Sequence, residues 1–494
     1  RQPDSSDFRP GFTWPNATTL GISVRVLPRG CIFGHMGPSG FRDGDDPEAL
    51  FSIIALTNSR PFSILLEMQL ALAAEGRKHY EVGLVRQTPL PQVNDEVSRT
   101  LASLARQAWA RKKFLISTVE TSHAFELPTA LRGRLGGYDP LATQAELADI
   151  QAEIDKIAFD LYGFSDAERT AALGSSCSTD KDSSDGTEDA DDSEDDDGAE
   201  AIDQTDGLLS WAAGVAFGRF DWRLATGERA APPEPESFDP LPAKSPGMLS
   251  DGTEPFHAHS EILADDQGHP NDLAGLIEEV LACVEAPVPA DVRRWLQRDF
   301  FPLHLKQYSK SRRKAPIYWP ISTSSGSYTL WLYYPSLTDQ TLFTAVNDFI
   351  EPKLKQAGQG VAALRTKGSA RSRDDDKNFE ALQALELELI ELRDTLLAVA
   401  QTYRPNHDDG VQITAAPLWQ LFRHKPWQKI LKDTWAKLEK GDYDWAHLAM
   451  AYWPDRVREK CDTDKSLAIA HDLEHLFVEP EPTEARSRKK EAAA

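Results

Sequence analysis

Cysteine is scarce in this chain. Its 494 residues hold four: Cys31, Cys177, Cys283 and Cys461, far apart and with no C-x-x-C pair among them. That spacing argues against a disulfide framework and against a zinc ribbon, and it fits a reducing, cytoplasmic setting. Apolar runs are short as well. None approaches the ~18–20 residues of a membrane-crossing helix, and the first residues carry no cationic, apolar signal peptide, so no membrane partner is expected. Catalytic signatures are missing too. There is no G-x-S-x-G elbow and no Walker loop. His257 and His259 form a close pair inside a polar linker, with no third ligand in view. His471 and His475 stand four apart, but HDLEH lacks the Glu placement of H-E-x-x-H, so a helix surface is the better reading. The other histidines are scattered, and no carboxylate–lysine constellation of the nuclease kind is present; Asp374–Lys377 and Asp464–Lys465 are charge patterns in helices or loops.

Positive charge is the next shortage. Lys and Arg number 54 against 78 Asp and Glu, a net charge of −24. About half of that excess lies in one tract, Asp180–Asp206. Overall acidity therefore says little about the folded surfaces, and a protein that grips DNA can be acidic if its cations are clustered. Residues 175–206 are Ser, Asp, Glu and Gly with almost no apolar content, which predicts a disordered linker. The alternative is an acidic segment folding over a basic groove in place of DNA.

What is present points to an α+β, multi-domain chain: small mixed sheets with helices, one heptad helix and a helical C-terminal unit. The length suits two to four domains, and 40% hydrophobic residues are enough for sizeable cores. Thr13–Trp14, Ile22–Val26 and Cys31–Phe33 read as short strands. Helices are expected over Pro47–Asn58, with Pro47 in its first turn, and over Phe62–Gly76. Glu81–Thr88 reads as a strand. Asp95 is placed to cap a helix over 96–117 with Val97, Leu101, Leu104, Ala105 and Trp109 on one face. Another helix is expected over 141–165, ending near Tyr162–Gly163. A helix to about Ala216 leads into a turn carrying Arg219, Arg223 and Arg229, and Pro-rich 231–247 follows as an extended linker. Leu273–Val284 and Asp291–Phe301 look helical. Gly358–Lys377 reads as a polar loop. Leu382, Leu385, Leu389, Leu392, Leu396 and Val399 then alternate at spacings of three and four, a seam that pairs with another helix or fills a core. After Pro405, an aromatic-rich unit reads as two helices around Gly441, its rings packing a core. These readings divide the chain at 1–92, 93–174, 175–206, 207–356, 357–377, 378–402, 403–479 and a charged tail, 480–494.

The most informative stretch is 304–353. It opens with Lys306, Lys310, Arg312, Arg313 and Lys314 and continues into Ile317, Tyr318 and Trp319, then Tyr328, Leu330, Trp331, Leu332, Tyr333 and Tyr334. Cations beside aromatic strands suit a surface that holds phosphates and stacks beside them. The plainer reading is a solvated loop leading into a buried hairpin.

Several long strings carry a resemblance: SKSRRKAPIYWPIST, GSYTLWLYY, LTDQTLFTAVNDFIEPKLK, DGVQITAAPLWQLF, HKPWQKILKDTW and PDRVREKCDTDKSLAIAH. They resemble the C-terminal half of PglX-type proteins, the adenine-specific DNA methyltransferases of BREX phage-defence systems. Methylases of DISARM defence and of fused restriction–modification enzymes are similar over parts of the region. FRPGFTWPNATTLGISVRVLPRGCIFGHMGPSGF resembles the segment just after the catalytic domain of such enzymes, so residues 1–92 are expected to follow a catalytic domain and 93–174 to open the recognition region. The resemblance implies transfer of a methyl group from S-adenosylmethionine to adenine N6. That chemistry needs a Gly-rich strand–loop–helix turn and an N-P-P-[YF] motif that holds a flipped base. The sequence contains no N-P-P-[YF], and Gly133–Gly137 and Gly214–Gly218 follow no convincing strand. The chain, which begins at Arg1 rather than Met, is therefore expected to be a fragment or split subunit without the catalytic domain, binding no cofactor by itself.

Target recognition remains. The expected partners are double-stranded DNA and a catalytic methylase domain in the same or a separate chain. The expected DNA contacts are Lys310, Arg312, Arg313 and Lys314, with Tyr308 and Ser309 as hydroxyl donors to phosphate, and Lys306 and Arg223 beside them. They rest on charge and context. The competing reading is a non-catalytic subunit that docks other phage-defence proteins through the Leu382–Val399 seam and the aromatic C-terminal unit.

Overall fold

The computed structural model describes residues 8–18, 21–70, 78–174, 202–258, 261–310 and 313–479. It is an α+β chain, mostly helical, with its strands in small antiparallel sheets. The residues fall into two compact units. The first comprises 1–258, 277–292 and 310–313; the second comprises 259–276, 293–309 and 314–494.

In the first unit, β1 (Gly11–Thr13) pairs with β3 (Arg25–Leu27) on one edge and β4 (Ser39–Gly40) on the other. β2 (Ala17–Thr18) pairs with β5 (Lys78–His79). The helix Pro47–Thr57 has Pro at its first position and Asp46 accepting from the Glu48 and Ala49 N–H groups. It buries Leu50, Phe51, Ile54 and Leu56 against the helix Asp95–Ile116, which packs in turn on Pro140–Tyr162. Trp14, Phe62, Tyr80, Leu101 and Ile154 complete that core. The helix Gln204–Ala216 buries every residue from Leu208 onward. No single helix among the described residues is long and apolar enough to cross a membrane.

In the second unit, β10 (Thr329–Tyr333) lies between β6 (Ile262–Asp265) and β9 (Tyr318–Ser322). Trp319, Ile321, Leu330 and Leu332 are buried; in the antiparallel register Ile321 faces Leu330 and Trp319 faces Leu332, so they share one face. On the other face Phe300 packs its ring 5.1 Å from Trp331 and 5.9 Å from Tyr318. Phe300 closes a π-helical turn, Leu296–Phe300, set between the helical segments Val292–Trp295 and Phe301–Gln307. The helices Glu351–Lys367 and Arg373–Ala400 then pack on each other. The C-terminal part holds Lys425–Lys440, His447–Tyr452, Pro454–Cys461 and Lys465–Ala470.

Several expectations need correction. Cys31–Phe33 is not a strand: both edges of β1 are already filled, and Ile32 is exposed. Glu81–Thr88 holds a helix, Val82–Gln87, because the Thr88 N–H and hydroxyl both reach back to the Leu84 carbonyl. The helix read as Phe62–Gly76 runs over Arg60–Glu67, and its expected second half falls largely outside the described residues. Asn94, not Asp95, caps the next helix. Residues 204–206, assigned to the acidic linker, begin a helix capped by Asp203; the rest of that tract, 175–201, lies outside the described residues, as does the tail 480–494.

The largest correction is Gly358–Lys377. This segment is helical except for the break around Gly368–Ser372. Ala357 and Val361 bury one face of Glu351–Lys367, and a Cβ added at Gly360 would stand 2.8 Å from Leu382 Cδ1. Gly360 thus permits close approach to the seam helix. The break uses Gly368 at φ +51° and a capping box between Ser372 and Asp375. In the C-terminal unit, the segment after Gly441 is two helices broken at Trp453–Pro454 rather than one, and Trp445 is 47% exposed rather than core.

Candidate nucleic-acid interface

The basic stretch begins where the helix Phe301–Gln307 ends. Pro302 sits in its first turn, and Tyr308 leaves the helical region at φ −96°, ψ 24°. His304, fully buried, ties the following chain back: its Nε2 accepts from the N–H groups of Ile317 at 2.8 Å and Tyr318 at 3.2 Å. Its ring lies 4.3 Å from that of Tyr308. The Ala315 N–H donates to the Tyr308 carbonyl at 2.9 Å and closes the stem. Between these ties, β7 (Ser309–Lys310) pairs with β8 (Arg313–Lys314). The chain thus returns in a short hairpin on a buried anchor.

The expected contact residues differ in what they are doing. Lys306, Lys310 and Arg313 are exposed, and Lys314 is half-buried. Arg312 lies outside the described residues. The Ser309 hydroxyl already donates to the Leu305 carbonyl, and Tyr308 is half-buried against His304. Arg223 is tied into the first unit. It donates to Asp221 at 2.8 Å and to the Glu254 carbonyl at 2.9 Å, and it lies over the Trp222 ring. Asp221 is 1% exposed and takes Arg229 on its other oxygen at 3.1 Å. The aromatic run after the cations is core: Tyr318, Trp319, Tyr328 and Trp331 are all at most 2% exposed, so they offer no open stacking surface. Burial, with Asp266 adding to it, pushes the Tyr328 hydroxyl far above its usual range.

Sequence reasoning misses three arginines. Arg294 and Arg298 are exposed on the helical run that leads into the hairpin, four residues apart. Their spacing, with Lys306 eight beyond, is the available signal. A third, Arg423, donates to the carbonyls of Thr323 at 2.6 Å and Ser322 at 2.7 Å, and burial lowers its pKa.

The glycines considered as cofactor candidates lie in helical surroundings. Gly133–Gly137 follows a helix, and Gly214 lies inside one. No group of three or more His, Cys, Asp or Glu residues is placed to hold a metal among the described residues. His471 meets the Asp444 carbonyl through Nε2 at 2.7 Å, and His475 sits in a separate 3-10 turn; His259 lies outside the described residues.

The α+β scaffold thus presents exposed cations on an anchored hairpin. No family model matches the chain. It is 21% identical over 464 residues to the adenine-specific methyltransferase BrxX of Escherichia coli O9:H4 (strain HS), covering 82% of this chain and 35% of that protein. It is 22% identical over 449 residues to the adenine-specific methyltransferase PglX of Lacticaseibacillus casei (strain Zhang), covering 83% of this chain and 34% of that one. The chain is thus a distant homologue of adenine-specific methyltransferases, and it spans about a third of the length of these curated relatives.

Proposed function

We propose that this chain is the DNA target-recognition part of a site-specific adenine-N6 DNA methyltransferase in BREX-type phage defence. The observation that carries the reading is the extent of the likeness, which covers more than four fifths of this chain in proteins named as adenine-specific methyltransferases. The absence of N-P-P-[YF] from the 494 residues supports assigning base capture and S-adenosylmethionine chemistry to a catalytic domain other than these residues. The exposed cations of the hairpin support a phosphate-contacting role. Lys306, Lys310, Arg313 and Lys314 neutralise backbone phosphates and release counterions, which makes binding fall with salt. Phosphate contacts of this kind set position on the duplex, and base reading is a separate task.

One observation counts against the docking alternative. Leu389, Leu392 and Leu396 of the seam are buried, in a helix that packs on other helices of the same chain.

The test is fluorescence anisotropy on a labelled duplex across a salt series, with a parallel assay for methyl transfer from labelled S-adenosylmethionine. The expected result is salt-dependent binding and no transfer by this chain alone. Failure to bind duplex DNA at low salt would sink the recognition reading. Methyl transfer by these 494 residues would overturn the division of labour.

A further inference from the structure

A pocket of about 300 Å³ opens on one face of the β6–β10–β9 sheet in the second unit. That is the small end of the range for small-molecule sites. Its floor is Pro320 opposite Trp331 and Ser322 opposite Thr329, the paired residues of β9 and β10. One wall is the π-helical turn, which brings Leu296, Gln297 and Arg298 to the rim. Such turns recur at functional sites. The other wall is Arg423 and His424.

The lining is rich in donors and poor in free acid. Its one carboxylate, Asp265, is already taken by Arg293 and by Gln297. Arg298 is exposed and has no ion-pair partner among the described residues. Arg423 is held by backbone carbonyls, with no carboxylate in salt-bridge reach among the described residues; Glu388 and Glu391 act on it only from longer range. Trp331 is 2% exposed and closes the floor. Phe301 and His424 meet edge to face at 5.5 Å beside Pro302 and Pro320, which gives the site an aromatic and apolar side. Burial lowers the His424 pKa, which favours the neutral ring.

We propose that this pocket binds a mononucleotide. The two guanidinium groups take the phosphate. The aromatic side takes the base. A free nucleotide and a nucleotide within a DNA strand share this chemistry. The assignment goes beyond the DNA-recognition reading and does not depend on it, because the free nucleotide is titrated with no DNA present.

The experiment is isothermal titration of the full chain with dAMP, deoxyadenosine and inorganic phosphate. The expected result is one saturable site for dAMP with a Kd below about 1 mM, and binding at least about tenfold weaker for deoxyadenosine and for phosphate. Arg298→Ala, at an exposed position, weakens dAMP at least about tenfold. Absence of saturable dAMP binding, or binding unchanged in Arg298→Ala, overturns the proposal. Equal affinity for deoxyadenosine overturns the phosphate assignment, and equal affinity for phosphate overturns the base assignment. In the positive case, displacement of dAMP by a short oligonucleotide identifies a DNA strand as the source, and its absence identifies a free nucleotide. Charge reversal at Lys310, Arg313 and Lys314 leaves dAMP binding unchanged, which separates this site from the hairpin.

Discussion

Residues 219–229 and 304–314 both stand out as cationic stretches in an acidic chain, and the fold sets the two in opposite surroundings. In the first, Arg219 pairs with Glu120 at 2.9 Å with both side chains under a tenth exposed, while Arg223 and Arg229 share the buried Asp221. These arginines hold the first unit together. In the second, Lys306, Lys310 and Arg313 face solvent beside a buried anchor, His304. The difference is written in the intervening acids. Asp221 stands two residues before Arg223, whereas 304–314 contains no acid at all. A cation with an acid close by in the chain is a candidate for scaffold, and a cation in an acid-free run is a candidate for a ligand.

Four experiments break or sharpen that contrast. The largest effect is expected from Asp221→Ala, which strands two arginines around a buried position. Breaking a buried pair in this way costs about 3–5 kcal/mol, so urea unfolding should show a loss of that order. Lys310→Glu and Arg313→Glu should each stay within about 0.5 kcal/mol of wild type, as exposed changes do. Equal destabilisation by the two kinds of change would erase the distinction. Next, Lys310→Glu/Arg313→Glu/Lys314→Glu should reduce the salt slope of duplex binding by about 3 units, one for each phosphate no longer neutralised. An unchanged slope would remove the hairpin from the DNA interface. Third, Arg223→Ala should cost about 1–3 kcal/mol of stability through Asp221 and leave the duplex affinity of the folded protein unaltered. A fall in affinity without a fall in stability would return Arg223 to the phosphate-binding set.

The smallest effect concerns a half-buried acid whose partners are all local. The Ser372 N–H and the Lys367 ammonium hold the Asp375 carboxyl down at about 2. Its folded pKa lies below the ordinary value of about 3.9, so its contribution is present above that value and is lost as pH falls through about 2. An NMR titration should place its midpoint near 2, and Asp375→Asn should remove the acid-side transition of that helix end. A midpoint near the ordinary value would mean that the capping box does not persist in solution.

The fold is legible wherever a stop signal or strong periodicity stands in the chain. Pro47 opens its helix, Gly163 closes another in the left-handed region at φ 70°, and the leucines from 389 to 396 turn inward. It is illegible where tertiary packing supplies the stability. Glu351–Lys367 buries only Ala357 and Val361 and contains Gly358 and Gly360, so its sequence resembles a loop until the seam helix is set against it. Val82–Gln87 is too short for periodicity to separate helix from strand. At the site, the charges can be read and their partners cannot. Arg223 looks like a phosphate ligand until Asp221 and Glu254 close around it. Arg298 escapes notice because it lies upstream of the obvious cluster, and only the folded sheet sets it beside Trp331 and Arg423.

The seam helix Arg373–Ala400 also limits how such a chain can change length. Its buried Leu389, Leu392, Leu396 and Ala400 all point one way. One inserted residue turns everything beyond it by about 100° and swings that row off its neighbour, whereas seven restore the phase to within about 20°. Insertions and deletions in this helix are therefore tolerated in near-whole heptads, as steps rather than a continuum. Surface loops carry no such reading frame, and alignments of natural variants should show length variation collecting there.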